Sequence, residues 1–551
     1  MRHRNLVTRH ILVIAAALVA TTCVPVRNRA PRLIVLLVVD QFRGDFVDRF
    51  QHRWTGGLHR LITDGAWFRQ ADYTYYTTVT CAGHATVSTG SDPAVHGMVQ
   101  NAWYDRVAGK QVACADDDAA SIVSYGKPLA GPGESARALR GSTLADELRA
   151  QQNGGATVIA FSLKARSAVT LAGQRADAAA WFDDRGEWVT SSAYAATPVP
   201  AVADFVRAHP VDADFGKTWD RTLSKERYLF EAPASGATPK FGMTADFPHV
   251  VKGPSEAPDA TFFSQWQSSP LADEYLARMA TSVGGAVRIG TSGRTDFLGI
   301  SFSTLDHVGH DFGPDSQEVQ DVLVRLDRTL GEFFAGLDRT VGRGNYVVAL
   351  TADHGVAPIP ERAKVQGLDA GRVSAESIRT RIEDTLAAMS PTPVKHVTAL
   401  VNTDAYLTPG TWDALRKQPT LLAKLRSHLT KVPGVLALYT RDELEAGRFD
   451  GDAIGQRLVR SFTPGRRGDL VVVLKPYWIT SRTGTTHGSS YGYDTRVPIF
   501  LMGQGITAGE YLAPVSPADI APTLAFLAGV TLPRAQGHVL VEALAPAVRG
   551  K

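Results

Sequence analysis

The chain has little excess of charge of either sign. Its 58 lysines and arginines stand against 55 acidic residues, which gives a formal net charge of +3 over 551 residues. This charge is too small, for a chain of this length, to indicate nucleic acid as a partner, and no long basic block is present. We therefore expect that the protein does not recognise a nucleic acid duplex. Internal repeats are absent as well. The composition, 44% hydrophobic and 21% charged, is that of a globular enzyme.

A long apolar run is also missing. The run over residues 11–20 is too short to span a bilayer, which takes ~20 apolar residues. Three arginines precede this run and small residues follow it, which is the pattern of a secretory signal peptide. We predict a signal peptide over residues 1–23, a periplasmic or secreted protein, and no stable membrane span after cleavage. The alternatives are an uncleaved N-terminal anchor and lipidation of Cys23.

Cysteine is scarce, with only three residues in the chain. Export would leave Cys81 and Cys114 as the only cysteines beyond the leader. In an oxidising compartment such a pair can form a disulfide. The alternative is a free Cys81 packed beside the candidate site, and the sequence alone leaves both open.

Short aliphatic runs predict buried parallel strands, and helical patterns lie between several of them. The clearest helical pattern covers residues 316–337, with Asp315 or Ser316 as the N-cap. Alternating strands and helices predict an α/β fold whose largely parallel central sheet has helices on both faces, with ligand sites beyond the carboxyl ends of the strands. The predicted strands are residues 33–39, 157–161, 297–303, 346–350, 470–474 and 498–502.

Two stretches have a different composition. Residues 177–292 are rich in Trp, Pro, Gly and polar residues, with a hairpin expected through Asp184-Arg185-Gly186. Residues 361–467 have amphipathic helices and few long aliphatic runs. We interpret both as insertions that form a cap over the sheet, within one catalytic domain of residues 31–551.

Carboxylates and imidazoles follow the ends of the predicted strands. These side chains suit zinc in a hydrolytic site, and six of them from four strand ends could hold two metal ions ~4 Å apart. Taken singly, an aspartate at a strand end is usually a helix N-cap, and a lone histidine is usually a satisfied surface or core residue. Their convergence on strand ends favours the metal site. The six residues are Asp40, Asp306, His310, Asp353, His354 and His487.

A threonine-rich segment offers a nucleophile. We expect a helix to begin just after Thr80, which places this hydroxyl near the positive end of the helix dipole. Metal coordination would lower the pKa of the hydroxyl. Thr77, Thr78 and Thr80 could equally be ordinary strand threonines, and residue chemistry alone does not choose among them.

With these motifs the sequence resembles the alkaline phosphatase superfamily, and within it the PafA-like bacterial branch that uses threonine as nucleophile. The resemblance extends from residue 33 to about residue 530. In that branch the nucleophile lies four residues before the histidine of a Gly-His pair, which selects Thr80 before Gly83-His84. The resemblance also implies that His84 and His96 are structural and do not bind metal.

The resemblance implies two zinc ions with separate ligand sets. Residues matching the ligands of one zinc are Asp306, His310 and His487. Residues matching the ligands of the other are Asp40, Asp353, His354 and the Thr80 oxygen.

The resemblance further implies a phosphate-binding group of Asn101, Lys164 and Arg166. A monoester dianion leaves one charged oxygen for protein donors when two are held by metals, and a diester has lost one such oxygen, so two cations favour monoesters. Without the resemblance, Lys164 and Arg166 would be two solvated cations in a loop. The implied function is a zinc-dependent alkaline phosphatase that hydrolyses small-molecule phosphate monoesters through a phosphothreonine. The alternatives are a nucleotide pyrophosphatase/phosphodiesterase on the same scaffold and a catalytically silent metal- or phosphate-binding surface protein.

Overall fold

The structure, a computed structural model, describes residues 30–389, 392 and 394–549. The signal peptide predicted over residues 1–23 lies outside these residues. Within the described ranges, no helix combines the length and the apolar character needed to cross a membrane.

An eleven-stranded mixed sheet forms the centre of the molecule. Five neighbouring strands at its middle run parallel to one another, and antiparallel strands flank them. The predicted α/β fold with a largely parallel central sheet is therefore confirmed. In spatial order the strands are Gly509–Tyr511, Gly65–Phe68, Ile499–Gly503, Tyr346–Thr351, Leu33–Val39, Asp296–Phe302, Val158–Ser162, Ala178–Phe182, Trp188–Ser191, Asp116–Ser124 and Pro132–Glu134.

Helices cover both faces of this sheet. The odd-numbered residues of Leu33–Val39 pack into one hydrophobic cluster and the even-numbered residues into another, because successive side chains of a strand alternate between faces. Helices of eight or more residues are Gly57–Asp64, Thr80–Thr89, Leu144–Gln151, Ala165–Ala172, Pro200–Ala208, Ala260–Gln267, Pro270–Ala286, Thr304–Phe312, Gln317–Leu337, Ala375–Leu386, Pro419–Leu429, Ala453–Arg460 and Ile520–Ala528. Shorter helices are Asp45–Phe50, Pro93–His96, Pro360–Val365, Thr411–Leu415, Arg441–Ala446, Gly492–Thr495 and Pro546–Arg549.

The longest predicted helix is confirmed. It spans Gln317–Leu337, and the Ser316 side chain caps it by accepting a hydrogen bond from the Val319 N–H. The predicted strands of the central sheet form within one residue of their expected bounds. The last of them, Ile499–Gly503, runs antiparallel to both of its neighbours, whereas the sequence suggested a parallel strand.

The strand Leu470–Leu474 forms with the predicted bounds but does not belong to the central sheet. It pairs antiparallel with Asp404–Leu407 and Val435–Thr440 in a separate four-stranded sheet completed by Val397–Val401. Its even-numbered residues pack into one apolar cluster and its odd-numbered residues into another. Burial on both faces removes the alternation of apolar and polar residues, so this antiparallel strand has the continuous aliphatic pattern of a parallel one.

The two stretches assigned to a cap differ in how they attach. The first begins with the strands Ala178–Phe182 and Trp188–Ser191, which form the expected hairpin and extend the central sheet. The second contains most of the four-stranded sheet, with its own hydrophobic cluster between Val373 and Trp478. That these stretches cap the catalytic domain stays a proposal. Three further strand pairs lie outside both sheets: Ala102–Asp105 with Lys110–Ala113, Lys217–Trp219 with His249–Val251, and Gly371–Arg372 with Trp478–Ile479.

Candidate active site

The carboxyl ends of adjacent parallel strands bring most of the predicted ligands together. Asp40 directly follows Leu33–Val39, and Asp353 and His354 come after the neighbouring strand Tyr346–Thr351. On the other side of Leu33–Val39, the strand Asp296–Phe302 leads into the helix Thr304–Phe312, which carries Asp306 and His310. Parallel strands place their carboxyl ends at one edge of the sheet, so these side chains share that edge.

Asp306, His310 and His487 form the first group that could hold a metal ion. The Nε2 atoms of His310 and His487 lie 3.2 and 3.8 Å from Asp306 Oδ1. Each imidazole makes a 2.8 Å hydrogen bond from Nδ1 to a backbone carbonyl oxygen, Thr485 O for His310 and Thr78 O for His487. Such bonds fix the ring and leave Nε2 as the ligand atom, as is usual in metal sites. Burial and its two histidine neighbours hold the pKa of His487 well below its usual value, which keeps this ligand neutral.

His487 arrives from a loop and not from a strand end, which corrects the expectation of four strand ends. The loop is held in place by side-chain and backbone bonds. Thr485 N donates to His310 O at 2.9 Å, and the Gly488 and Ser489 N–H groups donate to Asp494 Oδ2 at 3.1 and 2.8 Å. A loop position of this kind depends on tertiary contacts that no local pattern encodes.

The second group that could hold a metal ion contains Asp40, Asp353 and His84, and the predicted ligand His354 lies beside Asp353. Two histidines are therefore candidates for the imidazole ligand. His84 lies within 3.5 Å of both carboxylates, but its ring nitrogens already contact Thr80 O at 2.9 Å and Ser301 Oγ at 2.8 Å. His354 Nε2 lies 3.0 Å from Asp353 Oδ2, and neither of these buried atoms has a hydrogen-bond partner among the described residues besides the other. Buried polar atoms are normally fully satisfied, so a carboxylate and an imidazole with no further partner fit a metal ion. These contacts favour His354 as the ligand and a structural role for His84.

Lys164 lies between the two groups. Its Nζ is 2.6 Å from Asp40 Oδ2 and 2.5 Å from Asp306 Oδ2, and the side chain is buried. Burial alone would raise the pKa of both carboxyls, but Lys164, with His84 at Asp40 and His310 at Asp306, holds the pKa of each below its usual value. The aspartates are therefore ionised, as metal ligands must be.

Arg166 lies in the first turn of the helix Ala165–Ala172 and is half-buried. No carboxylate of the described residues lies within ion-pair distance of Arg166, and its buried Nε has no hydrogen-bond partner. The two predicted cations therefore differ: Lys164 contacts the candidate metal ligands, and Arg166 is an unpaired cation two residues further along.

Thr80 is the first residue of the helix Thr80–Thr89, which begins one residue earlier than expected, and this helix packs against Asp353 of the second group. A Cβ atom added to Gly83 would lie 2.2 Å from Asp353 O and 2.6 Å from Asp353 Cβ, so only glycine permits this approach. On the other side, His487 Nδ1 bonds to Thr78 O. The segment around Thr80 thus contacts a member of each candidate metal-binding group.

Asn101 lines a cavity of 350 Å³ together with His310, His487 and residues of the four-stranded sheet. Its Oδ1 accepts a 2.9 Å hydrogen bond from the Cys81 N–H in the first turn of the Thr80 helix. Cys81 and Cys114 form a disulfide, which decides between the two alternatives left open by the sequence.

Gln41 is a site residue that the sequence reasoning missed. Its Nε2 donates to Asp306 Oδ1 at 2.6 Å and its N–H donates to Asp353 Oδ1 at 3.1 Å, so it joins the two candidate metal-binding groups. It does so in a left-handed conformation with φ of 68°, which costs energy for a residue other than glycine and is often found at functional sites. Its place directly after Asp40 was the available signal.

The comparison with known proteins decides the family. The family described as Type I phosphodiesterase / nucleotide pyrophosphatase matches residues 34–494. The chain belongs to this family. It is 31% identical to alkaline phosphatase PhoV of Synechococcus elongatus over 529 residues, 93% of each chain. It is also 30% identical to alkaline phosphatase PafA of Elizabethkingia meningoseptica over 554 residues, 97% of this chain and 98% of that one.

Solved structures agree with this assignment. The crystal structure of wild-type PafA superposes with a TM-score of 0.84 at 30% identity, covering 94% of this chain and 99% of that chain. Murine ectonucleotide pyrophosphatase / phosphodiesterase 5, at 14% identity and a TM-score of 0.52, shares the fold. The resemblance to the PafA-like branch of the alkaline phosphatase superfamily is confirmed, and with it the prediction of a phosphatase enzyme.

Proposed function

We propose that this family member is a zinc-dependent alkaline phosphatase that hydrolyses phosphate monoesters through a phosphothreonine at Thr80. One observation carries the proposal: two groups of carboxylates and imidazoles flank the start of the helix that begins with Thr80. Relatives named alkaline phosphatases, at about 30% identity over nearly the whole chain, support the same chemistry.

The ligand assignment follows from the donor types. Oxygen and nitrogen donors without thiolates suit zinc. When bound, zinc ions would lower the pKa of a coordinated hydroxyl and stabilise negative charge on the reacting oxygens. The residues proposed for one ion are Asp306, His310 and His487. The residues proposed for the other are Asp40, Asp353, His354 and the Thr80 oxygen.

The reaction then has two in-line steps on Thr80. In the first, Thr80 Oγ bonds to phosphorus, the bond to the ester oxygen breaks, and that oxygen leaves as the alcohol with the proton lost by Thr80. In the second, water attacks the phosphothreonine, which releases inorganic phosphate and restores the hydroxyl. Asn101, Lys164 and Arg166 stabilise negative charge on the transferring phosphoryl group in both steps.

Export to the periplasm or the medium belongs to the same proposal. The buried Cys81–Cys114 disulfide supports it, because disulfides persist in oxidising compartments. The N-terminal sequence pattern supports it independently.

A substrate panel on zinc-loaded protein tests the proposal. We expect aryl and alkyl phosphate monoesters to be hydrolysed with the highest kcat/KM, aryl phosphate diesters with a lower value, and sulfate esters with the lowest. A protein that prefers diesters would be a phosphodiesterase of the same fold. A protein that binds zinc and phosphate but turns over none of the panel would be a silent binding protein.

A further inference from the structure

The orientation of the Asn101 amide is fixed by its neighbours. The Cys81 backbone N–H can only donate, so the Asn101 atom 2.9 Å away must be the oxygen Oδ1. The amide nitrogen is then the polar end left for the cavity that Asn101 shares with His310 and His487. An asparagine held in this way offers a donor to an anionic ligand, and the reverse orientation would leave two donors facing each other.

The backbone of Asn101 is held from the opposite side. Its carbonyl oxygen accepts a 3.0 Å hydrogen bond from the Cys114 N–H. Cys114 follows the hairpin Ala102–Asp105 and Lys110–Ala113, which leaves Asn101 and returns beside it. The Cys81 N–H therefore donates a hydrogen bond to the side chain of Asn101, and the Cys114 N–H donates one to its backbone carbonyl.

The disulfide between these two cysteines closes a ring around Asn101. The Cα atoms of Cys81 and Cys114 lie 6.6 Å apart, and both side chains are fully buried in an apolar cluster that includes Met98 and Trp103. Cys81 is also the residue next to Thr80, so the same covalent bond joins the start of the Thr80 helix to the residue that follows the returning strand Lys110–Ala113. Within the ring the amide cannot shift relative to Thr80 unless one of these two hydrogen bonds breaks.

We propose that the Cys81–Cys114 disulfide is a positioning element, which fixes the Asn101 amide relative to Thr80 for phosphoryl transfer. The inference rests on the proposed function, because it needs Asn101 to donate to the phosphoryl group. Donors that stabilise developing charge must be held in place before the reaction, and a displacement of about 1 Å can lower a rate about 100-fold. The disulfide is a covalent link between the Thr80 helix and the end of the hairpin. It therefore limits their separation more strongly than the two hydrogen bonds to Asn101 do.

A double-mutant cycle tests the proposal. We compare wild type, the Cys81→Ser/Cys114→Ser variant, Asn101→Ala and the triple variant by kcat and KM for an aryl phosphate monoester. Removing the disulfide is expected to lower kcat about 10-fold with little change in KM, and Asn101→Ala to lower it about 100-fold. In the Asn101→Ala background, removing the disulfide should change kcat less than about twofold, because the group that it positions is gone.

A loss of kcat by the same factor in both backgrounds would overturn the proposal, since the disulfide would then act on Thr80 or on the whole fold. Leu425→Ala serves as the stability control, because Leu425 is fully buried in a cluster that contains no residue of the Thr80 helix or of the hairpin. It should lower Tm and leave kcat unchanged below the melting range. If wild type hydrolyses no monoester, the same cycle is read by the Kd of inorganic phosphate. If removing the disulfide weakens phosphate binding only when Asn101 is present, the positioning role is supported although the proposed function has failed. If it weakens phosphate binding equally with and without Asn101, the positioning role is overturned as well.

Discussion

At the scale of single residues, Lys164 connects the two proposed ligand sets and is also proposed to bind the phosphoryl group. Its ammonium contacts Asp40 and Asp306, one carboxylate from each proposed ligand set. A buried ammonium between two buried carboxylates keeps all three groups charged, since each compensates the desolvation of the others. In the part of the chain that the structure describes, Arg166 has no such partner, so its charge would remain available to the proposed dianionic substrate.

Removing both cations tests the preference for monoesters. In the Lys164→Ala/Arg166→Ala variant we expect kcat/KM for an aryl phosphate monoester to fall about 100-fold or more, since two charge-stabilising donors are lost. For a diester the fall should be less than about tenfold, because a diester carries one charged oxygen fewer. Both values come from one side-by-side assay. Equal losses on the two substrates would remove the reason for preferring monoesters.

Asp273 provides a test of stability against pH. Its Oδ1 accepts from Ser303 N–H at 3.2 Å, next to the helix that carries Asp306 and His310, and its buried Oδ2 has no partner. Burial raises the pKa of Asp273 to about 7 from an ordinary 3.8. The unfolded chain therefore releases this proton at lower pH than the folded protein does. The unfolding free energy falls as the pH rises from the ordinary pKa of 3.8 to the folded-state pKa of about 7.

Asp273→Asn keeps the accepting oxygen and cannot ionise. Relative to this variant, wild type should lose roughly 4 kcal/mol of unfolding free energy between about pH 4 and about pH 8. Denaturant unfolding of both proteins across this pH range measures the difference in their unfolding free energies. The contributions of all other titrating groups are common to both proteins and cancel in this difference. A difference that does not change with pH would contradict a buried, protonated Asp273.

At the scale of elements, the helix Thr80–Thr89 is held on two sides. Gly83 permits its contact with Asp353. On the other side, Ser461 Oγ accepts from the Tyr76 and Thr77 N–H groups, and Arg467 Nη1 donates to Thr77 Oγ1. The helix therefore takes its position from the sheet edge and from the stretch proposed as a cap.

Gly83→Ala measures the first of these contacts. The added methyl group would overlap Asp353, so we expect a loss of about 1–3 kcal/mol in unfolding free energy together with a large loss of activity. Gly285→Ala is the matched control, because Gly285 also lies in a helix and an added Cβ would meet nothing within 4 Å. The control should be neutral or more stable by up to about 1 kcal/mol. Similar behaviour of the two variants would show that the helix does not press on Asp353.

Elements whose pattern is local could be predicted from the sequence. The central strands and the helix Gln317–Leu337 follow from aliphatic runs and helical periodicity, and strand ends brought Asp40, Asp306 and Asp353 together. The sheet to which Leu470–Leu474 belongs could not be predicted, because burial on both faces looks the same in either sheet. The loop of His487 and the bridging role of Gln41 depend on contacts between residues hundreds of positions apart, which no local pattern contains.

At the scale of the whole molecule, the proposed site is assembled from segments spread from Asp40 to His487. No single segment holds a complete ligand set, so the site exists only in the folded chain. Metal ions that bind only the folded chain therefore shift the folding equilibrium toward the folded state and stabilise it.

Chelation therefore has two expected effects. Prolonged treatment with a strong chelator should lower monoester hydrolysis more than about 100-fold, since bound metal contributes several kcal/mol to such reactions, and zinc should restore it. The chelated protein should also have a lower Tm, which rises again with zinc concentration. If neither activity nor Tm responds to the chelator, a bound metal is not needed for catalysis or for stability.

The central claim is that Thr80 carries the phosphoryl group, and trapping the intermediate tests it most directly. Zinc-loaded wild type is mixed with a monoester labelled in its phosphate, quenched in acid, digested, and the labelled peptide is sequenced. We expect label on Thr80 in wild type, and no label and almost no turnover in Thr80→Ala. Label on another residue, or a Thr80→Ala variant that keeps its rate, would contradict it.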